Sequence, residues 1–205
     1  MASSLAELYQ LQKKDIESAA EMYSRAYADY PFNIYFSKDK NARTVLGRDF
    51  YILGLRLGLK FGEAYAPTPN MEGVAVWEYS HKKPGALQIF REGALKMLPH
   101  LGLKNSLKGF MIFKYCEERR GKIVSEKHIH LSSLGVDPEH QGKGYSSELL
   151  RAMFRRLDQE KVPCVLETQT EKNVKLYSHI GFRVVDETMI LKTGIPNWLM
   201  VRVPE

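Results

Sequence analysis

Between residues 131 and 153 the chain reads LSSLGVDPEHQGKGYSSELLRAM, and here its residue types best fit a chemical task. Gln141-Gly142-Lys143-Gly144-Tyr145-Ser146 joins a run of strand character to a run of helical periodicity. Glycines at 142 and 144 remove Cβ atoms where backbone must curl closely around a ligand. Exposed amides and the positive end of the following helix then form an anion site suited to phosphate, with Lys143 adding charge at its rim. The run is neither the GK[ST] of nucleotide-phosphate loops nor the GxGxxG of dinucleotide folds. Taken alone, a G-x-G is also compatible with a plain tight turn.

Other chemistry is harder to find. Cys116 and Cys164 form no CxxC, and the six histidines show no HxxxH, so no metal site is expected. Seven basic residues lie between Lys104 and Lys127 against three glutamates, which reads as a solvated helix face rather than a nucleic-acid tail.

The elements that must position the loop follow from periodicity. Residues 8–11 read as a short strand, and Asp15 as the N-cap of a helix carrying Ile16, Ala19, Ala20, Tyr23 and Tyr27. That helix must stop before Tyr30-Pro31. A second helix spans 41–60, strands at 64–66 and 73–79 flank the turn Pro67-Thr68-Pro69-Asn70, and helical patterns at 85–113 break at Pro99 and Gly102. A strand at 129–136, a helix at 146–159, a strand at 165–168, a short helix at 174–179 capped by Gly181, and strands at 182–191 and 198–203 complete the chain. The hairpin excludes a purely parallel sheet. The expected fold is α+β (mixed α/β): one domain over 1–205, a largely antiparallel central sheet with helices on both faces, and a helical insertion at about 85–118.

Composition agrees with a globular chain. The 205 residues are 44% hydrophobic and 26% charged with net charge +6, which excludes disorder. No secretory leader or membrane-spanning run is expected, and the reading is a cytoplasmic protein.

The loop and its surroundings also carry a family resemblance. Gln141-x-x-Gly144-x-Ser146, after Leu134-Gly135-Val136-Asp137-Pro138, resembles the acetyl-CoA loop of the GCN5-related N-acetyltransferases (GNAT), whose pattern is Arg or Gln, two residues, Gly, one residue, then Gly or Ala. Leu166-Glu167-Thr168, Asn173, Tyr177 and Gly181-Phe182 resemble the second half of that family, with its N-x-x-x-Y-x-x-x-G-F spacing. The likeness is nearest the puromycin-type small-molecule acetyltransferases and is strongest over 129–184. Ser146 departs from the pattern; its hydroxyl can bond a phosphate oxygen or cap the helix.

The resemblance implies an acetyltransferase that uses acetyl-CoA as co-substrate and a small-molecule or peptide primary amine as acceptor, by direct attack in a ternary complex. Backbone groups of Leu134 and Val136 would bond the pantetheine arm like an added strand. Gln141 and the amides of Gly142, Lys143, Gly144, Tyr145 and Ser146 would hold the pyrophosphate, and Asn173 the cofactor arm. Tyr177 is the implied general acid for the departing thiolate, though a tyrosine one turn before Gly181 also suits plain packing. Glu167 and His130 are the candidates for general base, His130 on the strand side shared with Ser132 and Leu134. Tyr30, Phe32, Tyr35 and Phe36 form an aromatic loop that would wall the acceptor pocket or simply pack. The insertion would cover the site or form a homodimer contact. No nucleic acid or membrane is expected as partner. The alternatives are a non-catalytic acyl-CoA sensor and an acyltransferase for a larger acyl group.

Overall fold

The computed structural model describes residues 4–82, 84–124 and 127–205. Its strands are β1 (Tyr9–Gln10), β2 (Gly62–Ala66), β3 (Gly73–Tyr79), β4 (Ile129–Val136), β5 (Cys164–Thr168), β6 (Arg183–Met189) and β7 (Pro196–Arg202). Its helices are α1 (Ile16–Ala26), α2 (Pro31–Phe36), α3 (Lys40–Phe61), α4 (Ala86–Glu92), α5 (Leu98–Ile123), α6 (Tyr145–Glu160) and α7 (Glu171–Ser178). The strands form one sheet in the order β1-β2-β3-β4-β5-β7-β6, antiparallel throughout except for the β4–β5 pair.

Helices cover both sheet faces: α1 and α6 with the apolar stripes that periodicity predicts, α3 with Leu55, while its Val45 and Phe50 are exposed. On one face Leu149, Leu150, Met153 and Leu157 of α6 pack over Trp77, Leu131, Leu166 and Met200. On the other, Ala19, Ala20 and Tyr23 of α1 and Leu55 of α3 pack over Val74 and Val76. The α3 helix tolerates its glycines because one of them is required: a Cβ at Gly58 would lie 2.3 Å from Val76 Cγ1.

Local chemistry departs from the sequence reading at three places. Asp15 does occupy the N-cap position of α1, but its side chain caps nothing there; its carboxylate accepts from the Gln12 amide at 2.7 Å and the Tyr9 hydroxyl at 2.9 Å, closing a 3-10 turn ahead of the helix. The aromatic run after Tyr30 is a helix rather than a loop, because Pro31 occupies its first turn, where a missing N–H costs nothing. Phe32, Tyr35 and Phe36 pack with Ile112 of α5 and with Ile190 and Ile195 of the β6–β7 connection. The helical insertion therefore folds back onto its own sheet, and α5, kinked at Gly102, runs on to Ile123.

A fourth difference alters the site. Val76 pairs with Ser133 but Trp77 pairs with Leu131, so Ser132 is an extra residue, a bulge in β4. An extra residue reverses the alternation of side chains beyond it. Ile129, Leu131 and, past the bulge, Leu134 all face α6. His130 is therefore on the opposite face from Leu134, on the side of Ser133, whose hydroxyl donates to Tyr23 at 3.0 Å.

Candidate active site

The β4–β5 pairing ends early. Ile129, His130 and Leu131 pair with Cys164, Val165 and Leu166, and beyond these the two strands diverge. The Asp137 amide donates to Glu72 at 2.9 Å, so by antiparallel alternation the main-chain groups of Val136 and Leu134 turn away from β3 into the gap. Both are partnered by the protein's own side chains. The Tyr27 hydroxyl donates to the Leu134 carbonyl at 2.5 Å and accepts from the Leu134 amide at 3.2 Å. The Gln141 side-chain amide donates to the Val136 carbonyl at 3.2 Å. An incoming ligand that pairs with this edge must displace those contacts, a requirement the sequence did not reveal.

The loop that follows is pinned at its start and open at its end. Arg25 of α1 grips the Asp137 carboxylate at 2.5 and 2.9 Å, and Asp137 also accepts from the Glu139 amide. Burial opposes ionisation of Asp137, but Arg25 and the Glu139 amide outweigh it and hold its carboxyl below the usual range. Gly142 and Gly144 have φ of 78° and 89°, the left-handed region that L side chains rarely adopt. Gly144, not Ser146, is the N-cap of α6, and no side chain caps that helix. Its first-turn amides thus point outward at the positive end of a sixteen-residue helix, which suits an anion.

Three phenols gather at the mouth of the gap. Tyr27 holds β4, while the Tyr30 hydroxyl donates to Gln169 Oε1 at 3.0 Å and accepts from the Gln169 amide, just past β5. Tyr27 and Tyr30 stack edge-on with centroids 5.2 Å apart. Tyr177 is buried on α7, one turn beyond Asn173, with its ring edge-on to Phe182 at 5.7 Å. Burial, and then the nearby Tyr30 and Cys164, push its phenol up, so it stays protonated across the ordinary pH range. Thr170 caps this helix by accepting from the Asn173 amide.

Glu167 and His130 do come together, and two unforeseen residues join them. Glu167 Oε2 lies 3.1 Å from His130 Nε2 and 2.8 Å from Arg120 Nη1, and Glu78 Oε2 lies 3.6 Å from His130 Nδ1. Burial and Arg120 push His130 toward neutrality, but the two carboxylates outweigh them and raise its affinity for a proton above the ordinary 6.5. Burial would raise the Glu167 pKa, yet His130 and Arg120 bring it below the ordinary value. His130 Nδ1 is buried and makes no hydrogen bond. Arg120 carried no sequence signal beyond its place in a basic run, and Glu78 only its strand position. Both cysteines are poor nucleophiles: burial pushes the Cys116 thiol up to about 12 and raises Cys164 as well.

The fold is thus a seven-stranded mixed sheet whose central parallel pair separates beside a glycine loop and an uncapped helix. The model of the acetyltransferase (GNAT) family matches residues 67–182, and the chain belongs to that family. An uncharacterised N-acetyltransferase of Schizosaccharomyces pombe is 24% identical over 210 residues, covering 95% of this chain and 82% of that protein. Among solved structures, a histone acetyltransferase HPA2 and related acetyltransferase from Corynebacterium glutamicum covers 100% of this chain and 98% of its own, at 15% identity and a TM-score of 0.65. Arylalkylamine N-acetyltransferase 2 of Aedes aegypti covers 97% of this chain and 98% of its own, at 17% identity and a TM-score of 0.64. At these identities the likeness is one of fold.

Proposed function

We propose that this protein transfers an acetyl group from acetyl-CoA to a primary amine, of a small molecule or a peptide, by direct attack within a ternary complex. The observation that carries the reading is the divergence of β4 and β5 beyond Leu131 and Leu166, opening beside the left-handed Gly142 and Gly144 and the uncapped start of α6. Pyrophosphate would lie on the amides of Gly142 to Ser146 with Lys143 and Gln141 at the rim, and the pantetheine arm along Leu134, Val136 and Asn173. This requires Tyr27 and Gln141 to yield the strand edge.

In the reaction the amine nitrogen bonds to the thioester carbonyl carbon, the C–S bond breaks, and the departing thiolate takes the phenolic proton of Tyr177. The amine proton passes through water to His130. Of the two base candidates His130 suits the task better: the carboxylates of Glu167 and Glu78 favour its protonated form, whereas the ion pair with Arg120 makes Glu167 a weak proton acceptor. Glu167 then orients the imidazole. The protonated thiols of Cys116 and Cys164 favour direct transfer over a cysteine-bound intermediate. The sequence likeness to puromycin-type enzymes favours a small-molecule acceptor.

The test pairs calorimetric titration of acetyl-CoA with a thiol-release screen over polyamines, arylalkylamines, aminoglycosides, amino acids and peptides, for the parent protein and Tyr177→Phe. Both should bind acetyl-CoA equally, and the variant should lose roughly a hundredfold or more in kcat. The acid limb of kcat/KM should fall above pH 6.5, because the neutral, active form of His130 is populated only above its raised pKa. Binding without turnover on any amine would favour an acyl-CoA sensor. Binding of succinyl-CoA or propionyl-CoA in preference would favour the larger acyl group. Failure to bind any acyl-CoA would overturn the reading.

A further inference from the structure

The two ring nitrogens of His130 stand in different surroundings. Nε2 is committed: Glu167 Oε2 lies 3.1 Å from it, and Arg120 Nη1, which donates to that same oxygen at 2.8 Å, lies 3.3 Å from it. The side chains of Glu167 and Arg120 are 12% and 13% exposed, so little solvent reaches this nitrogen. Nδ1 is buried without a hydrogen bond and faces Glu78 of β3. Glu78 and His130 are direct partners in the β3–β4 register, so their side chains share one face of the sheet. The Glu78 side chain is 33% exposed, the most of the four.

These contacts decide which nitrogen carries the proton of the neutral ring. An ionised carboxylate only accepts, so a bare Nε2 would set its lone pair against Glu167 at 3.1 Å. It would also leave the proton on Nδ1, where Glu78 Oε2 at 3.6 Å is beyond hydrogen-bond reach. With the proton on Nε2 the bond to Glu167 is made, and the Nδ1 lone pair stays unused. The charges point the same way. Arg120 and Glu167 cancel, whereas among the described residues Glu78 pairs with no lysine or arginine. Burial would raise the Glu78 pKa, yet His130, Arg120 and Ser132 bring it below the ordinary carboxylate value. Its negative charge therefore goes uncompensated until the ring gains a second proton, for which only Nδ1 is free.

We propose that Nδ1 of His130 is the atom that takes the amine proton, and that Glu78 is the positioning residue that holds the proton there and returns it to solvent. The assignment rests on the acetyl-transfer reading above. The amine N–H bond breaks, its electron pair stays on nitrogen for the attack, and the proton, passed through water, ends in a new Nδ1–H bond. The imidazolium then directs Nε2–H at Glu167 of β5 and Nδ1–H toward Glu78 of β3, while Arg120 of α5 opposes its charge. Cys116 of α5 adds no charge, because burial pushes its thiol up to about 12. Glu78, the most exposed member, is the side by which the proton leaves for bulk water.

NMR of the full chain labelled with ¹⁵N-histidine tests this without any substrate, the His130 signals being assigned by their loss in His130→Gln. In the parent protein, well above the titration midpoint of His130, Nδ1 should show the shift of a bare, pyridine-type nitrogen and Nε2 that of a protonated one. Glu78→Gln should lower the midpoint by about one pH unit, and Glu78→Asp, which keeps the charge, should lower it less. In turnover with the amine found by the screen, Glu78→Gln should bind acetyl-CoA as the parent does. Its acid limb of kcat/KM should move to lower pH by the same unit, and its kcat plateau should fall a few-fold, as for a weaker base. A protonated Nδ1 in the neutral parent ring, or a midpoint that Glu78→Gln leaves unmoved, would overturn the proposal. Failure to bind any acyl-CoA, with tautomer and midpoint as expected, would overturn the acetyl-transfer reading instead and leave Nδ1 as the proton-accepting atom of the ring.

Discussion

Two regions flank the gap between β4 and β5, and they are built in opposite ways. The loop from Gln141 to Ser146 works through main chain: left-handed glycines and a helix start that no side chain caps. The cluster under α5 works through side chains: Arg120, Glu167, His130 and Glu78 come from four elements and satisfy one another in a buried space. The first keeps polar groups available and needs only local geometry. The second uses up nearly all of its polar groups internally, and leaves His130 Nδ1 as the one buried atom of the cluster without a hydrogen bond. The difference teaches that local backbone geometry can leave polar groups open, whereas a buried imidazole is tuned only by charges brought in from afar.

The largest effect that would break this contrast concerns Glu167→Gln. Removing the carboxylate strands Arg120 beside His130, and unfolding in urea should show a loss of about 3 kcal/mol. The parent's Glu167 is held below its ordinary pKa of 4.5, so its contribution is full above that pH and is lost as pH falls through the lower folded value. The variant should lack that acid-side decline. A loss near zero would mean that the cluster carries no structural weight.

A smaller and different effect is expected at the loop. Gly144 has φ of 89° and open space around its missing Cβ, so Gly144→Val is opposed by backbone strain alone, about 1–2 kcal/mol. Acetyl-CoA affinity should drop about tenfold as the first-turn amides lose their alignment. The pH dependence set by His130 should not move, and if it did, the two regions would not be independent.

The smallest effect sharpens the boundary between them. Tyr27→Phe removes the hydroxyl that occupies both Leu134 main-chain groups, lowering stability by about 1 kcal/mol. With that competitor gone, calorimetry should find acetyl-CoA binding tighter by a few-fold. Weaker binding would show that Tyr27 holds the strand edge ready rather than closed.

The backbone-built region was legible in the sequence almost residue by residue. The strand at 129–136 and the helix after Gly144 fall where periodicity and glycine chemistry put them. The order of strands and helices was legible too, apart from α2, where an aromatic run after Tyr30 was read as a loop although Pro31 favours a helix start. Of the side-chain cluster, only Glu167 and His130 were named, and His130 was placed on the wrong face. One extra residue at Ser132 reverses alternation, and nothing in Leu-Ser-Ser-Leu distinguishes a bulge from a regular strand. Arg120 was read as part of a solvated basic face because its partner lies 47 residues away.

What the sequence by itself determined is whatever a few neighbouring residues decide: helix starts, the left-handed loop, strand spans and the class of fold they build. Only the tertiary structure decided which side His130 faces, that α5 folds back to deliver Arg120, and that Tyr27 and Gln141 occupy the edge of β4. The reason is physical. Backbone torsions and hydrogen bonds within a turn respond to adjacent residues, whereas a buried charge finds its partner only after packing has closed the chain between them.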